Sequence, residues 1–402
     1  MAQRRVLVLG SYPASNPRHG GQIRLAQVVE AYRRAGFEAR LWTFFPSNPF
    51  YLEYPLAPTD VALDGKQLAS WRGHAAPFIE DLASGELVAG DTARLEAIEQ
   101  QAGPCELVHV EQPWLWPVAD ALQARGRIGK FRRVYGSQNI EYKLKRAIFA
   151  QYGVQQDQAL AGIEALERRA AAEAAVVAAV TREDAAVLRE WASAPVVVAA
   201  NGIQPWSADA QAVERWRGIL GPEPFALYVA SAHPPNVIGF CESFGECLAA
   251  LSPVQKIVIA GGVAEHIVKT DWHRKWGPLN ARRMHVVGPV SHEDLSALRD
   301  LAHVFVLPMT SGEGSNLKSA EALYSGRWVL ATPHAMRGYE DFAGVARLAV
   351  EAPGLAFARA LSRLLAQAVP AARADEPSRE ALTWAHTLAP LVDAVNALGT
   401  QA

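Results

Sequence analysis

Cysteine is scarce in this chain of 402 residues, and its three copies, Cys105, Cys241 and Cys247, form no Cys-x-x-Cys pair. That pattern indicates neither a disulfide framework nor a cysteine-held zinc site, and it fits a reducing compartment. Long apolar runs are lacking too. The longest, Ala170 to Val180, is interrupted by Glu173 and stops well short of the roughly 20 residues that span a bilayer. Val6 to Leu9, behind Met-Ala-Gln-Arg-Arg, is too short for a signal-peptide core. The expected location is therefore cytoplasmic, with peripheral contact at the inner face of a membrane still compatible. Nor is there an excess of charge of one sign. With 39 basic residues against 41 acidic ones and a formal net charge of -2, nothing calls for a nucleic-acid partner. The stretch Gly10-Ser11-Tyr12-Pro13-Ala14-Ser15 lacks Gly-x-Gly-x-x-Gly, which argues against a dinucleotide dehydrogenase.

What is present is length for two domains, at roughly 100–200 residues each, and a repeated alternation of short β-rich runs with helical patterns. That alternation predicts an α/β protein with parallel sheets. A first series of expected strands comprises Arg5–Leu9, Ala39–Phe44, Glu106–Val110, Arg132–Tyr135, Val176–Val180 and Val196–Ala199. A second comprises Phe225–Val229, Lys256–Ala260, Met284–Val287, Val304–Leu307, Trp328–Ala331 and Ala346–Val350, with a helix over Val237–Ala250. Two doubly wound domains are the economical reading: residues 1–200, a linker over 201–224 punctuated by Asn201-Gly202 and Gly221-Pro222, and residues 225–377. From Ser378 to Leu398, Leu382, Leu388, Leu391, Val392 and Val395 recur at helical spacing, so a closing amphipathic helix within 378–402 is expected to complete the first domain.

The most informative segment runs from Leu307 to Leu323. It reads as a strand end, a loop with Gly312 and Gly314, and a helix start through Ser315, Asn316 and Leu317. Open amides at a helix N-terminus, reinforced by the helix dipole, favour phosphate, and glycines let a ligand approach the backbone. Lys318, in the first turn, can add a full positive charge. Glu321 shares roughly that face one turn deeper, where a carboxylate suits a vicinal diol such as a ribose; Glu313 could accept hydroxyls at the ligand's other end. The alternative is a solvated ion pair between Lys318 and Glu321, worth a few tenths of a kcal/mol.

The Glu313-to-Glu321 element resembles the Glu-x7-Glu motif of retaining GT-B glycosyltransferases of the large bacterial, family-4-like group. Other segments occur in that family's order: His19-Gly20-Gly21, Glu106-Leu107-Val108-His109, Ser137-Gln138-Asn139-Ile140-Glu141-Tyr142, Thr181-Arg182-Glu183-Asp184, Ala200-Asn201-Gly202-Ile203, Ser231 to Gly239, and Thr383-Trp384. The resemblance implies two Rossmann-like domains facing across a cleft, with a C-terminal helix crossing back. It implies transfer of a sugar, with retention, from a nucleoside diphosphate (uridine diphosphate first on family frequency) to a saccharide, lipid-linked or small-molecule acceptor in bacterial polysaccharide, glycolipid or glycoconjugate synthesis. No cofactor or metal is implied. The donor would contact Gly20, Gly21, Ser231, Gly314, Ser315, Asn316, Leu317, Lys318 and Glu321. His109, Glu313 and Lys318 would serve catalysis, and Asn139, Glu141 and Glu111 the acceptor.

The chain departs from the family where members place a basic residue after the second domain's first strand, since only Ser231 and His233 stand there, and where His109-Val110-Glu111 replaces His-x-His. His109 also reads as a buried structural residue, and Asn139 as a helix cap. Trp42, Phe44, Phe45, Phe50, Tyr51, Tyr54, Trp114 and Trp116 form either an acceptor surface or core. Lys143, Lys145 and Arg146 are candidates for an anionic headgroup or pyrophosphate. Two other classes share the architecture: a nucleotide-sugar epimerase, which would turn over donor alone, and a non-catalytic nucleotide-binding subunit of a glycosylation complex.

Overall fold

The computed structural model describes residues 3–72, 76–312, 315–368 and 377–399. The chain divides into two compact units, Met1–Asn201 with Thr387–Ala402, and Gly202–His386.

In the first unit the strands are β1 (Arg5–Gly10), β2 (Glu38–Pro46), β3 (Asp60–Leu63), β4 (Leu107–Glu111), β5 (Arg132–Ser137), β6 (Val176–Ala179) and β7 (Val196–Val198). They form a seven-stranded sheet in the order 3-2-1-4-5-6-7, parallel throughout. The second unit holds β8 (Phe225–Val229), β9 (Lys256–Ala260), β10 (Met284–Gly288), β11 (Val304–Leu307), β12 (Trp328–Ala331) and β13 (Leu348–Val350), parallel in the order 10-9-8-11-12-13. Counted within its own unit, each sheet carries the 3-2-1-4-5-6 order of a dinucleotide-type doubly wound fold, whose ligands sit outside the strand C-termini where the order reverses. That point lies between β1 and β4 in one unit and between β8 and β11 in the other.

Both faces of each sheet are covered, which is why the strands read as continuous apolar runs instead of alternating ones. Along β8, Phe225 and Leu227 enter one core with Trp216, Leu307 and Leu323, while Ala226 and Tyr228 enter another with Phe240, Ile259 and Phe357. The first unit's core gathers Leu7, Phe44, Trp114, Trp116, Tyr135 and Ile163.

Four points differ from expectation. First, β3 was not expected, because its four residues include Asp60. That carboxylate is buried, takes the Thr43 hydroxyl at 2.7 Å and the amides of Ala14 and Ser15 at 3.3 Å, and so pins the loop after β1. Second, the stretch 201–224 is not free connecting chain. Ala210–Leu220 is a helix capped by Asp209, whose side chain accepts from Ala212 N at 2.8 Å, and its Trp216 lies in the second unit's core. Third, the closing helix is broken into Pro377–Glu380, Trp384–Thr387 and Ala389–Ala397. The break is where Ile203 pairs with Thr383 and donates to Leu382 O at 2.8 Å. Only the last piece packs on β6 and β7 of the first unit. The expected helix Val237–Ala250 begins earlier and ends sooner, as Pro234–Ser243. No helix among the described residues is long and apolar enough to cross a membrane.

Candidate functional site

At the second unit's switch point the backbone is drawn tight. Gly239, in the helix Pro234–Ser243 after β8, sits where a Cβ would lie 2.4 Å from Pro308 O at the exit of β11. Gly261, at φ +93°, sits where a Cβ would lie 2.3 Å from Ala230 O. Only glycine allows these approaches. They bring the exposed loop Ser231-Ala232-His233 beside the start of the helix Leu317–Tyr324. That helix opens at Asn316 in extended conformation with no side-chain cap bond, so among the described residues no side chain caps its first amides.

The two loops are tied by one side chain. Lys318 Nζ donates to Asn236 Oδ1 at 2.6 Å, and Asn236 Nδ2 donates to Ser231 O at 3.0 Å and Ser231 Oγ at 3.3 Å. The tie spans β8 and β11, neighbours in the sheet but far apart in sequence. Burial pushes the Lys318 ammonium down from 10.5 to about 8, with Glu321 opposing the shift. Burial, then the Lys318 charge, also lowers His233.

Glu321 lies one turn deeper, and its Oε1 takes Arg299 Nη2 at 2.7 Å. Arg299 comes from the helix His292–Leu301, is 7% exposed, and holds its guanidinium carbon 5.0 Å from the Trp206 ring centroid. Thus Ser231, Ser315, Asn316, Leu317, Lys318 and Glu321 share one corner of the unit. Glu313 and Gly314 lie outside the described residues. A lysine charge with open helix amides suits a polyanion, and a carboxylate at this depth suits hydroxyls.

The first unit's switch point is a buried polar network. Arg24 Nε meets Glu111 Oε1 at 2.6 Å, and both residues are 1% exposed. Arg24 Nη1 donates to Ala199 O at 2.8 Å and Asn201 Oδ1 at 3.3 Å. His109 Nε2 donates to Glu111 Oε2 at 2.7 Å, and the Tyr32 hydroxyl stands 2.9 Å from Nδ1. Burial raises the Glu111 carboxyl, but Arg24 and His109 outweigh it and hold the group at about 2. His109 is wholly buried, with Nε2 on Glu111 and Nδ1 beside the Tyr32 hydroxyl.

Gly21 is the second residue of the helix Gly20–Arg34, and a Cβ there would lie 2.7 Å from the Tyr12 ring and 3.1 Å from Gln138 Oε1, so this close approach favours glycine. His19, lowered to about 4 by burial and by Arg18, contacts the Tyr51 hydroxyl at 3.2 Å. Among the described residues Gln112 is the one non-glycine with positive φ, +67°. Its Nε2 donates to Glu141 Oε1 at 3.0 Å, as Asn139 Nδ2 does at 3.3 Å, and burial pushes Glu141 up to about 7. Asn139 makes no cap bond. The helix Glu141–Tyr152 is capped from a neighbouring helix by Glu167, which accepts from Glu141 N at 2.8 Å and Tyr142 N at 3.2 Å.

Among the expected surface aromatics, Trp42, Phe44, Phe45, Trp114 and Trp116 are core, whereas Phe50 and Tyr54 are exposed. Lys145 is committed to Asp81 at 2.7 Å and to Phe78 O at 3.1 Å, so it does not serve as a free anion contact.

Sequence reasoning missed Arg24, Gln112, Trp206 and Arg299. Arg299 carried a signal, a charge on the same face as Leu295 and Leu298 of an amphipathic helix.

Residues 223–367 match the family described as Glycosyl transferases group 1. Among solved structures the chain is similar to sucrose-phosphate synthase from Thermosynechococcus elongatus, at 19% identity and TM-score 0.62 over 98% of this chain and 95% of that one. It is similar to HepE from Anabaena in complex with UDP, at 15% identity and TM-score 0.61 over 98% and 96%. It also resembles α,α-trehalose 6-phosphate synthase from Burkholderia multivorans, at 14% identity and TM-score 0.61 over 99% and 100%. These likenesses establish the fold as GT-B, two Rossmann-like parallel-sheet domains. No curated protein matches the chain in sequence.

Proposed function

We propose that the protein is a retaining, metal-independent glycosyltransferase whose second unit binds a nucleoside-diphosphate sugar. The carrying observation is the Lys318–Asn236–Ser231 tie across the switch point of that unit, with Glu321 one turn deeper. In this reading Lys318 and the open amides of the helix Leu317–Tyr324 meet the negative charge that builds on the leaving diphosphate. Asn236 holds the ammonium in place until a phosphate replaces it as acceptor. Glu321 takes the ribose hydroxyls and Glu313 the sugar hydroxyls. The family match over residues 223–367 supports transferase chemistry, and the UDP bound by HepE favours uridine diphosphate as the carrier. In the first unit, Gln112, Asn139 and Glu141 are assigned to a hydroxyl-bearing acceptor, and the strained backbone of Gln112 supports a functional role there. The saccharide, lipid-linked or small-molecule nature of that acceptor, a role in bacterial glycoconjugate synthesis and a cytoplasmic setting belong to the same proposal.

Thermal unfolding of the wild type, Lys318→Ala and Glu321→Ala against uridine, guanosine, adenosine and thymidine diphosphates and their sugars tests it. Ligand at a hundred times its dissociation constant adds about 2.7 kcal/mol, a shift of a few degrees. One nucleotide should stabilise the wild type, and both variants should weaken that shift. A folded protein stabilised by none of them contradicts the proposal.

A further inference from the structure

The proposed donor site gives Glu321 its ligand but not its orientation. A glutamate side chain carries three rotatable bonds and recognises a diol only if something fixes its carboxylate. Arg299 Nη2 reaches Glu321 Oε1 at 2.7 Å, and the arginine side chain is 8% exposed against 26% for the glutamate. The guanidinium is held in turn by Trp206, 5.0 Å from its carbon. The indole packs at 5.1 Å on the Tyr324 ring, one turn beyond Glu321 on the same helix. Arg379 closes the stack, 4.3 Å above Tyr324 and donating through Nε to Tyr324 O at 2.8 Å.

The geometry is not that of a pair built for stability. A fork-to-fork contact would satisfy two guanidinium donors on two carboxylate oxygens. Here Arg299 Nε is buried and has no acceptor among the described residues, a cost a purely structural pair has no reason to bear. The ion pair reaches Glu321 through Nη2 at Oε1, and a carboxylate offers about four acceptor positions, which leaves capacity for two adjacent hydroxyls.

We infer that Arg299, braced by Trp206, is a positioning residue that aims Glu321 at the 2′,3′-diol of the donor nucleoside and so sets the site's preference for ribose. The inference rests on the donor-site reading above. It makes the segment that precedes the helix Ala210–Leu220 part of the specificity apparatus, through a side chain that touches no ligand.

The test compares dissociation constants, by calorimetric titration of the full chain, for the nucleoside diphosphate that binds best and for its 2′,3′-dideoxy counterpart. The wild type should discriminate strongly. Arg299→Leu and Glu321→Ala should each lower the ratio by about tenfold, and the double variant should lower it no further. Arg299→Lys should restore most of it, and Trp206→Leu should lower it with Arg299 intact, which carries the test should Arg299→Leu fail to fold. If Glu321→Ala loses the discrimination while the folded Arg299 and Trp206 variants keep it and lose only thermal stability, the pair is structural and the inference is overturned. If the wild type binds no nucleoside diphosphate, the donor-site reading falls and takes the inference with it.

Discussion

The Lys318 ammonium is held near 8 by burial, with Glu321 drawing it part of the way back. A diphosphate needs that charge. Affinity is therefore predicted to weaken by up to about tenfold per unit as pH rises above 8. Lys318→Arg should remove this limb, because a guanidinium stays charged; a titration series in nonvolatile buffers from pH 6 to 9.5 reads it. The sign for stability is opposite. The folded value is below the unfolded one, so between about 8 and 10.5 the native state binds fewer protons and the free protein gains stability as pH rises. Glu111 behaves as a paired acid. Held at about 2 against an ordinary 4.5, it adds stability above 4.5 that is lost as pH falls toward 2. Glu111→Ala leaves Arg24 buried without its partner and is predicted to cost about 3–5 kcal/mol in urea denaturation. A loss under 1 kcal/mol would contradict that account of the network.

At the scale of elements, close backbone approach decides more than side-chain chemistry. Gly239→Ala would press a Cβ to 2.4 Å from Pro308 O. It is predicted to destabilise the protein by about 1–3 kcal/mol and to loosen nucleotide binding, since Asn236 lies on the same helix. Most of this layer could be read from the sequence. Strands such as Phe225–Val229 and Lys256–Ala260 are buried on both faces and announce themselves as apolar runs. Lys318 and Glu321 were legible because one helical period relates them. The helix Ala210–Leu220 was hidden, although Asp209 caps it and Val213, Trp216 and Leu220 keep a helical period, because Pro205 and Pro222 flank it and mimic a linker. Short β3 was hidden by the charge of Asp60, which serves the loop after β1. The pairing of Asn236 with Lys318 and of Arg299 with Glu321 could not be read, since the sheet order, not sequence spacing, brings them together.

For the whole molecule, the two units have separate cores and separate switch points, filled differently. The first unit closes its switch point with a sealed ion network around Glu111, and the second leaves a lysine, a carboxylate and open helix amides at its own. Ligand binding should therefore register locally, within residues 202–386. Hydrogen–deuterium exchange with and without saturating uridine diphosphate or the best-binding nucleotide is the most direct measurement. Slowed exchange in Ser231–Asn236 and Asn316–Glu321, abolished in Lys318→Ala, is the predicted result. Unchanged exchange in both segments, with nucleotide binding demonstrated by calorimetry, would contradict the assignment of the donor site to this corner of the fold.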